Sequence, residues 1–131
     1  MLLQHAVLRA AVVCALLSVS LPAQAWEGIA STYGREIFRI NPKGLTANGE
    51  RFQPMGRTAA IWDVPFNTRL RVTHLATGRS IIVRVNDRGP HRRLGRLIDL
   101  STGSCRALGA CGLARVRVEV VAPGRRVADA R

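Results

Sequence analysis

The chain has 131 residues and a formal net charge of +12, from 20 basic and 8 acidic side chains. This length fits one small domain with a single core and leaves no room for a second. The positive charge favours polyanionic partners such as nucleic acid, anionic lipid or an acidic wall polymer, although an arginine-rich solvated surface without a partner would have the same composition.

Residues 1–25 have the features of a secretory signal peptide. Arg9 precedes an apolar run at residues 10–17, and Ala23 and Ala25 give the small-x-small pattern of a cleavage site. The run is too short for a permanent membrane anchor, so a retained transmembrane helix is the weaker alternative.

We therefore expect a mature chain of 106 residues that begins at Trp26 and keeps a net charge of +11, because Arg9 is the only charged residue lost. Cys14 lacks the preceding small residue of a lipidation signal. The predicted location is the periplasm or the medium, without a stable membrane anchor, where a wall polymer is a better partner than nucleic acid.

The first strong local signal in the mature chain is a turn at Asn48-Gly49, since both residues tolerate a positive φ. This turn places Glu50 at the mouth of any site beside it. A solvated turn acid without function would have the same sequence.

A β-hairpin is predicted next. Apolar and polar residues alternate at residues 70–74 and again at residues 81–85, and Ala76-Thr77-Gly78 supplies the turn between them.

Two carboxylates follow short apolar runs. Asp87 lies in Asn86-Asp87-Arg88-Gly89-Pro90, directly after the hairpin, and Asp99 lies in Leu97-Ile98-Asp99-Leu100-Ser101. We expect them at adjacent strand ends, where paired acids suggest chemistry. Each has a structural alternative, because Asp87 could cap its turn through backbone amides and Asp99 could cap the helix that follows.

One helix is predicted at residues 102–108, with Ser101 as its N-cap and Gly109 as its stop. Cys105 and Cys111 form an even pair at short range, which in an oxidising compartment is most simply a disulfide. No metal-binding spacing of cysteines or histidines occurs, so no metal site is expected.

The last strand is predicted from Val116, Val118 and Val120, which alternate with charged residues, and residues 122–131 are expected to form a disordered tail. Short strands with one short helix predict an all-β fold, a small barrel whose closure removes exposed edges.

The order of six segments resembles the rare lipoprotein A family. They are Ala-Ser-Thr-Tyr-Gly at 30–34, Thr-Ala-Asn-Gly-Glu-Arg-Phe at 46–52, Thr-Ala-Ala at 58–60, Val-Pro-Phe-Asn-Thr at 64–68, Gly-Arg-Ser-Ile-Ile-Val-Arg-Val-Asn-Asp-Arg-Gly-Pro at 78–90 and Gly-Arg-Leu-Ile-Asp-Leu-Ser at 95–101. The resemblance implies a six-stranded double-psi β-barrel with one or two short helices at residues 26–121.

The resemblance also implies an activity. Family members cleave peptidoglycan glycan strands between N-acetylmuramic acid and N-acetylglucosamine, prefer strands without stem peptides, and leave a 1,6-anhydro ring. Peptidoglycan glycan strands are therefore the expected partner, and no metal or organic cofactor is implied.

Three acids match functional positions of this family and its relatives. Asp87 matches a proposed catalytic aspartate, Glu50 a second functional position, and Asp99 an aspartate in the groove of related expansins and barrel hydrolases. A general acid needs a raised pKa, so we expect the neighbouring arginines to face substrate or solvent rather than Asp87. The candidate substrate-binding residues are Tyr33, Trp62, Arg84, Asn86 and Arg88, with core packing the alternative for the two aromatic side chains.

The chain departs from the family at Ile61, where many members carry a histidine. Isoleucine can neither donate a hydrogen bond nor titrate, although Asp63 or His91 could substitute. Two functions therefore stay open: a lytic transglycosylase, and a non-catalytic wall-binding module of the expansin type. An exported basic inhibitor or scaffold is a more distant third.

Overall fold

Six strands and two short helices make up the computed structural model, which describes residues 15–16 and 24–124. Most of the expected signal peptide and residues 125–131 of the expected tail lie outside the described residues. In chain order the elements are β1 (Ala25–Tyr33), α1 (Ile37–Ile40), β2 (Thr58–Ala60), β3 (Arg69–His74), β4 (Ser80–Asp87), a 3₁₀ turn (Arg92–Leu94), β5 (Ile98–Ser101), α2 (Thr102–Leu108) and β6 (Ala114–Ala122).

The six strands close into a barrel in the order β1-β5-β2-β4-β3-β6. Two pairings are parallel, β1 with β5 and β2 with β4, and the other four are antiparallel. Every strand therefore has two neighbours, which removes the unpaired edges that invite aggregation. The expected six-stranded barrel is confirmed.

Alternating apolar residues fill the barrel. In the predicted hairpin, Leu70 lies opposite Val83 and Val72 opposite Ile81, and all four are buried. The predicted last strand is also present as β6, which buries Val116 and Val118. Its final residue is Ala122, so the first residue of the expected tail belongs to the barrel.

The predicted helix is confirmed at Thr102–Leu108. The Ser101 hydroxyl accepts a hydrogen bond from the Ser104 amide, and Gly109 ends the helix with a left-handed φ of 73°. The expected disulfide between Cys105 and Cys111 is present, with an S–S distance of 2.07 Å. Cys105 and Leu108 join the core, so α2 packs on the barrel through one apolar side.

Helix α1 has no counterpart among the predicted elements. It has four residues, no side-chain cap and no buried residue, so it leaves no apolar period in the sequence. No helix among the described residues is long and apolar enough to cross a membrane.

Gly103 fixes the contact between α2 and the loop before β2. Its amide donates to the Pro54 carbonyl at 2.8 Å, and an added Cβ would lie 2.1 Å from the Met55 carbonyl oxygen. We expect Gly103→Ala to lower the free energy of unfolding by about 1–3 kcal/mol because the backbone must move apart. Denaturant unfolding measures this, with Arg106→Ala on the exposed side of the same helix as control. Equal midpoints for the two variants would contradict this packing.

Candidate active site

A β-bulge at Asn86 sets the direction of Asp87. Along the parallel pair of β2 and β4, Ala59 lies opposite Val85, but Ala60 lies opposite Asp87, so Asn86 is an extra residue on β4. Side chains alternate between the two faces of a sheet, and Val85 points into the barrel core. The extra residue therefore turns Asp87 to the outer face of the barrel.

Asp99 lies on the same outer face. Ala60 is opposite Asp99 on its other side, and Asp99 is in turn opposite Ser31 of β1. The residues Ser31, Asp99, Ala60 and Asp87 thus form one row across four strands, which we call the carboxylate row. Neighbouring strands lie about 4.8 Å apart, so the Cα atoms of the two aspartates are roughly 10 Å apart.

This arrangement corrects the expectation that the two acids lie at adjacent strand ends. Asp87 ends β4 and Asp99 lies in β5, and β2 runs between these strands. The residue that separates the two carboxylates is Ala60, whose methyl group fills little of the space between them. No bulky side chain of the row therefore stands between the two carboxylates.

The Asp99 carboxyl is partly enclosed. Its Oδ1 atom accepts a hydrogen bond from the Ser31 hydroxyl. Gly89, with φ of 147°, passes so close that an added Cβ would lie 3.7 Å from the Ala60 Cβ and 3.8 Å from Asp99 Oδ2. These distances are ordinary van der Waals contacts, so glycine is favoured here by the positive φ rather than by lack of space. The Gly89-Pro90 turn thus brings the backbone over the row.

Burial raises the pKa of Asp99 above its usual range. The Ser31 hydrogen bond and the charge of Arg96 lower this pKa, whereas the charges of Asp87 and Glu36 raise it. The net result is a carboxyl group that holds its proton to higher pH than a free aspartic acid. This is the property that a proton donor to a leaving group needs.

Asp87 is held by backbone amides. Its Oδ1 atom accepts hydrogen bonds from the Ala47 and Arg88 amides, both at 2.9 Å. The structural alternative, an acid that caps its turn, is therefore present. Both bonds fall on one oxygen, and Oδ2 receives none from the described residues, so the capping role leaves half of the carboxylate available.

Glu50 is bound by three side chains. Arg84 donates to its two oxygens at 2.5 and 2.8 Å, and the Nδ2 atoms of Asn48 and Asn86 donate at 2.8 and 3.3 Å. The pKa of Glu50 falls to about 2, chiefly because of the Arg84 hydrogen bonds; burial opposes this change, and the Asn48 and Asn86 hydrogen bonds contribute to it. Glu50 therefore stays ionised and fixes the loop on β4.

The two arginines beside Asp87 point away from it, as expected. Arg84 binds Glu50 and also donates to Asn67 Oδ1 at 2.9 Å. The Arg88 guanidinium lies 3.8 Å from the centroid of the Phe66 ring and donates to the Ile61 carbonyl at 3.0 Å. Both side chains are thus held by protein groups, whereas the sequence predicted that they face substrate or solvent.

Of the predicted substrate-binding residues, Asn86 is buried and Tyr33 is partly buried. The Tyr33 ring stacks on Phe52 with centroids 4.8 Å apart, and Asn86 is only 2% exposed. Burial raises the pKa of Tyr33, and the charges of Asp87 and Asp99 add to it, so the hydroxyl remains a donor. Among the described residues, the buried side-chain atoms without a hydrogen-bond partner are Tyr33 Oη, Thr58 Oγ1 and Asn86 Oδ1.

A cavity of about 270 Å³ adjoins the row, and we call it the side cavity. Its lining is Trp26, Ile61, Trp62, Asp63, Val64, Arg92, Arg96 and Leu97. Trp62 borders it with an indole whose Nε1 donates to the Pro90 carbonyl at 2.7 Å. Ile61 is 5% exposed and belongs to the core, which explains why an apolar residue is stable at this position.

Neither proposed replacement for the histidine belongs to the row. Asp63 is 80% exposed and pairs with Arg92 at 3.4 Å, and His91 is exposed with Nδ1 accepting from the Arg93 amide at 3.2 Å. Among residues 24–124, no group of three or more His, Cys, Asp and Glu side chains is placed to hold a metal ion.

Sequence reasoning missed Ser31 and Arg96. Both lie in the quoted motifs. Ser31 donates to Asp99, which is 68 residues away in the chain, and the charge of Arg96 acts on the same carboxyl. The alternation of side chains along β1 does not by itself show that Ser31 lies beside Asp99. That follows only from the pairing of β1 with β5.

Comparison with known proteins identifies the family of this chain. A family model described as lytic transglycolase matches residues 25–120. Over 100 residues the chain is 54% identical to a probable endolytic peptidoglycan transglycosylase RlpA of Nostoc sp., and the match covers 74% of this chain and 26% of that protein. A protein of the same name from Synechocystis sp. is 47% identical over 72% of the chain and 28% of its own length.

A third relative, the endolytic peptidoglycan transglycosylase RlpA of Pseudomonas aeruginosa, is 45% identical over 73% of the chain and 27% of its own length. The chain thus spans about a quarter of the length of these relatives.

The Glu50 cluster gives a pH-dependent prediction. A carboxyl whose pKa falls on folding stabilises the folded state above its ordinary pKa of 4.5, and this contribution disappears as the pH falls towards about 2. We therefore expect Glu50→Gln to be destabilising at pH 7 and progressively less so between pH 4.5 and 2. Glu27→Gln, which breaks the exposed pair with Arg117, is the control and should cost little. A Glu50→Gln penalty that persisted at low pH would contradict the role of the ion pair.

Proposed function

Because this chain belongs to the lytic transglycolase family, we propose that it is a peptidoglycan lytic transglycosylase that acts outside the cytoplasm. The proposed substrate is the glycan strand without stem peptides, cleaved between N-acetylmuramic acid and N-acetylglucosamine. The observation that carries the proposal is the carboxylate row, in which Asp99 and Asp87 share one face across Ala60. The signal peptide at residues 1–25 remains a prediction that agrees with this location.

Asp99 supplies the proton in this mechanism. Its carboxyl donates to the glycosidic oxygen as the bond from that oxygen to C1 of the muramic acid breaks. Positive charge then develops on the sugar ring, and the Asp87 carboxylate stabilises it from across the row. The C6 hydroxyl of the same sugar attacks C1 and transfers its proton to Asp99, which restores the acid. Atoms balance without water, so no separate base for water activation is needed.

This assignment differs from the sequence expectation, which gave proton transfer to Asp87. The environments of the two acids support the exchange of roles. Asp99 is partly buried and carries a raised pKa, whereas Asp87 accepts two backbone hydrogen bonds on one oxygen. Two backbone donors on one oxygen fix the orientation of the Asp87 carboxyl group.

A non-catalytic wall-binding module is the second candidate. Ile61 favours it, because its side chain is buried and apolar where many relatives of this type carry a histidine. A row of acids without that histidine would hold glycan and cleave it slowly or not at all.

The proposal predicts that the protein forms 1,6-anhydro ends on glycan strands freed of stem peptides, measured by mass spectrometry. Asp99→Asn should slow their formation by about 10²–10⁴-fold, the usual contribution of a general acid. Asp87→Asn should also slow it, while Glu119→Gln on β6 serves as the acid-to-amide control. If the unmodified protein sediments with the strands but forms no new ends, the enzyme is rejected and the wall-binding module is the function that remains.

A second prediction concerns Ile61. Ile61→His places an imidazole beside Ala60 and against the side cavity, where it can donate a hydrogen bond and titrate. We expect faster formation of 1,6-anhydro ends, with Ile61→Leu as the apolar control and thermal unfolding as the check on folding. A folded histidine variant with an unchanged rate would show that Ile61 is not what limits the enzyme.

A further inference from the structure

The side cavity lies beside the carboxylate row, although no residue of the row lines it. Ile61 lines it and directly follows Ala60, the central residue of the row. Arg96 also lines it, and its charge reaches the Asp99 carboxyl. A sugar bound in the side cavity would therefore lie next to a glycosidic bond that is bound at Asp99.

The walls of the side cavity suit one face of a sugar ring. Ile61, Val64 and Leu97 provide aliphatic surface, and Trp62 provides an aromatic face whose orientation is fixed by its bond to the Pro90 carbonyl. Pyranose rings bind proteins through such apolar and aromatic surfaces combined with a few polar groups. A volume of about 270 Å³ is small for a ligand site, so it fits a single sugar rather than a longer segment.

The charged groups at the side cavity favour an anion. Arg92 lies 4.8 Å from the centroid of the Trp62 ring and makes a 3.4 Å pair with Asp63, both side chains being largely exposed. Arg96 is half-buried and makes no ion pair or side-chain hydrogen bond with the described residues. Two guanidinium groups and the Asp63 carboxylate therefore line the side cavity. The charge of Arg96 also reaches Asp99, but its N–H donors have no hydrogen-bond partner among the described residues and can bind a ligand carboxylate.

One sugar of the proposed substrate carries such a group. N-acetylmuramic acid has a lactyl carboxylate on its ring, N-acetylglucosamine has none, and a stem peptide converts the carboxylate into a neutral amide. We propose that the side cavity is a binding site for N-acetylmuramic acid, in which Trp62 contacts the ring and Arg96, assisted by Arg92, binds the free lactyl carboxylate. The identity of this ligand rests on the proposed function.

The site would make the protein select for strands without stem peptides. A free lactyl group brings a negative charge to Arg96, whereas an amidated one leaves the half-buried guanidinium without its partner. Specificity then arises at a group that takes no part in bond cleavage.

Binding of small glycans tests this site without turnover. The probe is the disaccharide in which N-acetylglucosamine precedes a reducing-end N-acetylmuramic acid, since it lacks the bond that the enzyme would cleave. Its lactyl methylamide and chitobiose are the neutral ligands, and calorimetry gives each Kd. We expect Arg96→Gln to weaken binding of the acidic disaccharide about tenfold or more and to leave the two neutral ligands unchanged. Arg92→Gln should have a smaller effect of the same kind.

Arg115→Gln is the control, because Arg115 is exposed on β6 and does not line the side cavity. An equal loss for all three ligands in Arg96→Gln, or no loss for any, would overturn the inference, as would a protein that does not bind the acidic disaccharide. The outcome is separate from that of the cleavage assay. Charge discrimination without 1,6-anhydro ends would reject the enzyme and keep the site, and the opposite result would reject the site alone.

Discussion

The extra residue at Asn86 is the constraint on which the candidate site depends. Without it, the residue opposite Ala60 would be Asn86, and Asp87 would share the inward face of Val85. A carboxylate in that apolar interior would be strongly destabilising. The bulge instead aligns Asp87 with Asp99, and the loop before β2 packs on it through the Ala47 amide. This one-residue insertion therefore places Asp87 on the same outer face of the barrel as Asp99.

The hydrogen-bond donors and the burial around Glu50 and Asp99 then shift the pKa values of these two acids in opposite directions. Glu50 is held ionised by Arg84 and two asparagine amides, whereas Asp99 is partly buried with one hydroxyl donor and has its pKa raised. A carboxyl group can therefore anchor a loop or hold a proton, depending on its burial and on the donors around it. In the site proposed at the side cavity, Arg96 and Arg92 bind a substrate carboxylate that takes no part in bond cleavage.

Much of the fold could be predicted from the sequence, because the hairpin, β6 and α2 each carry a complete local period or a pair of caps. The site could be predicted only in part. Asp87, Asp99 and Glu50 stand in recognisable motifs, but a one-residue bulge leaves no pattern in the chain. The insertion of β2 between β4 and β5 is equally invisible, since it depends on long-range pairing. The side cavity combines residues 26, 61–64, 92 and 96–97, which no local period connects.

Titration of the Asp99 carboxyl carbon by NMR tests the shared face of the two aspartates most directly. If Asp87 and Asp99 face each other across Ala60, the pKa of Asp99 lies above the usual range of an aspartic acid and falls in Asp87→Asn, because one neighbouring negative charge is lost. An Asp99 pKa at or below the usual range, or one that does not move in Asp87→Asn, would show that the two carboxylates do not form a common site.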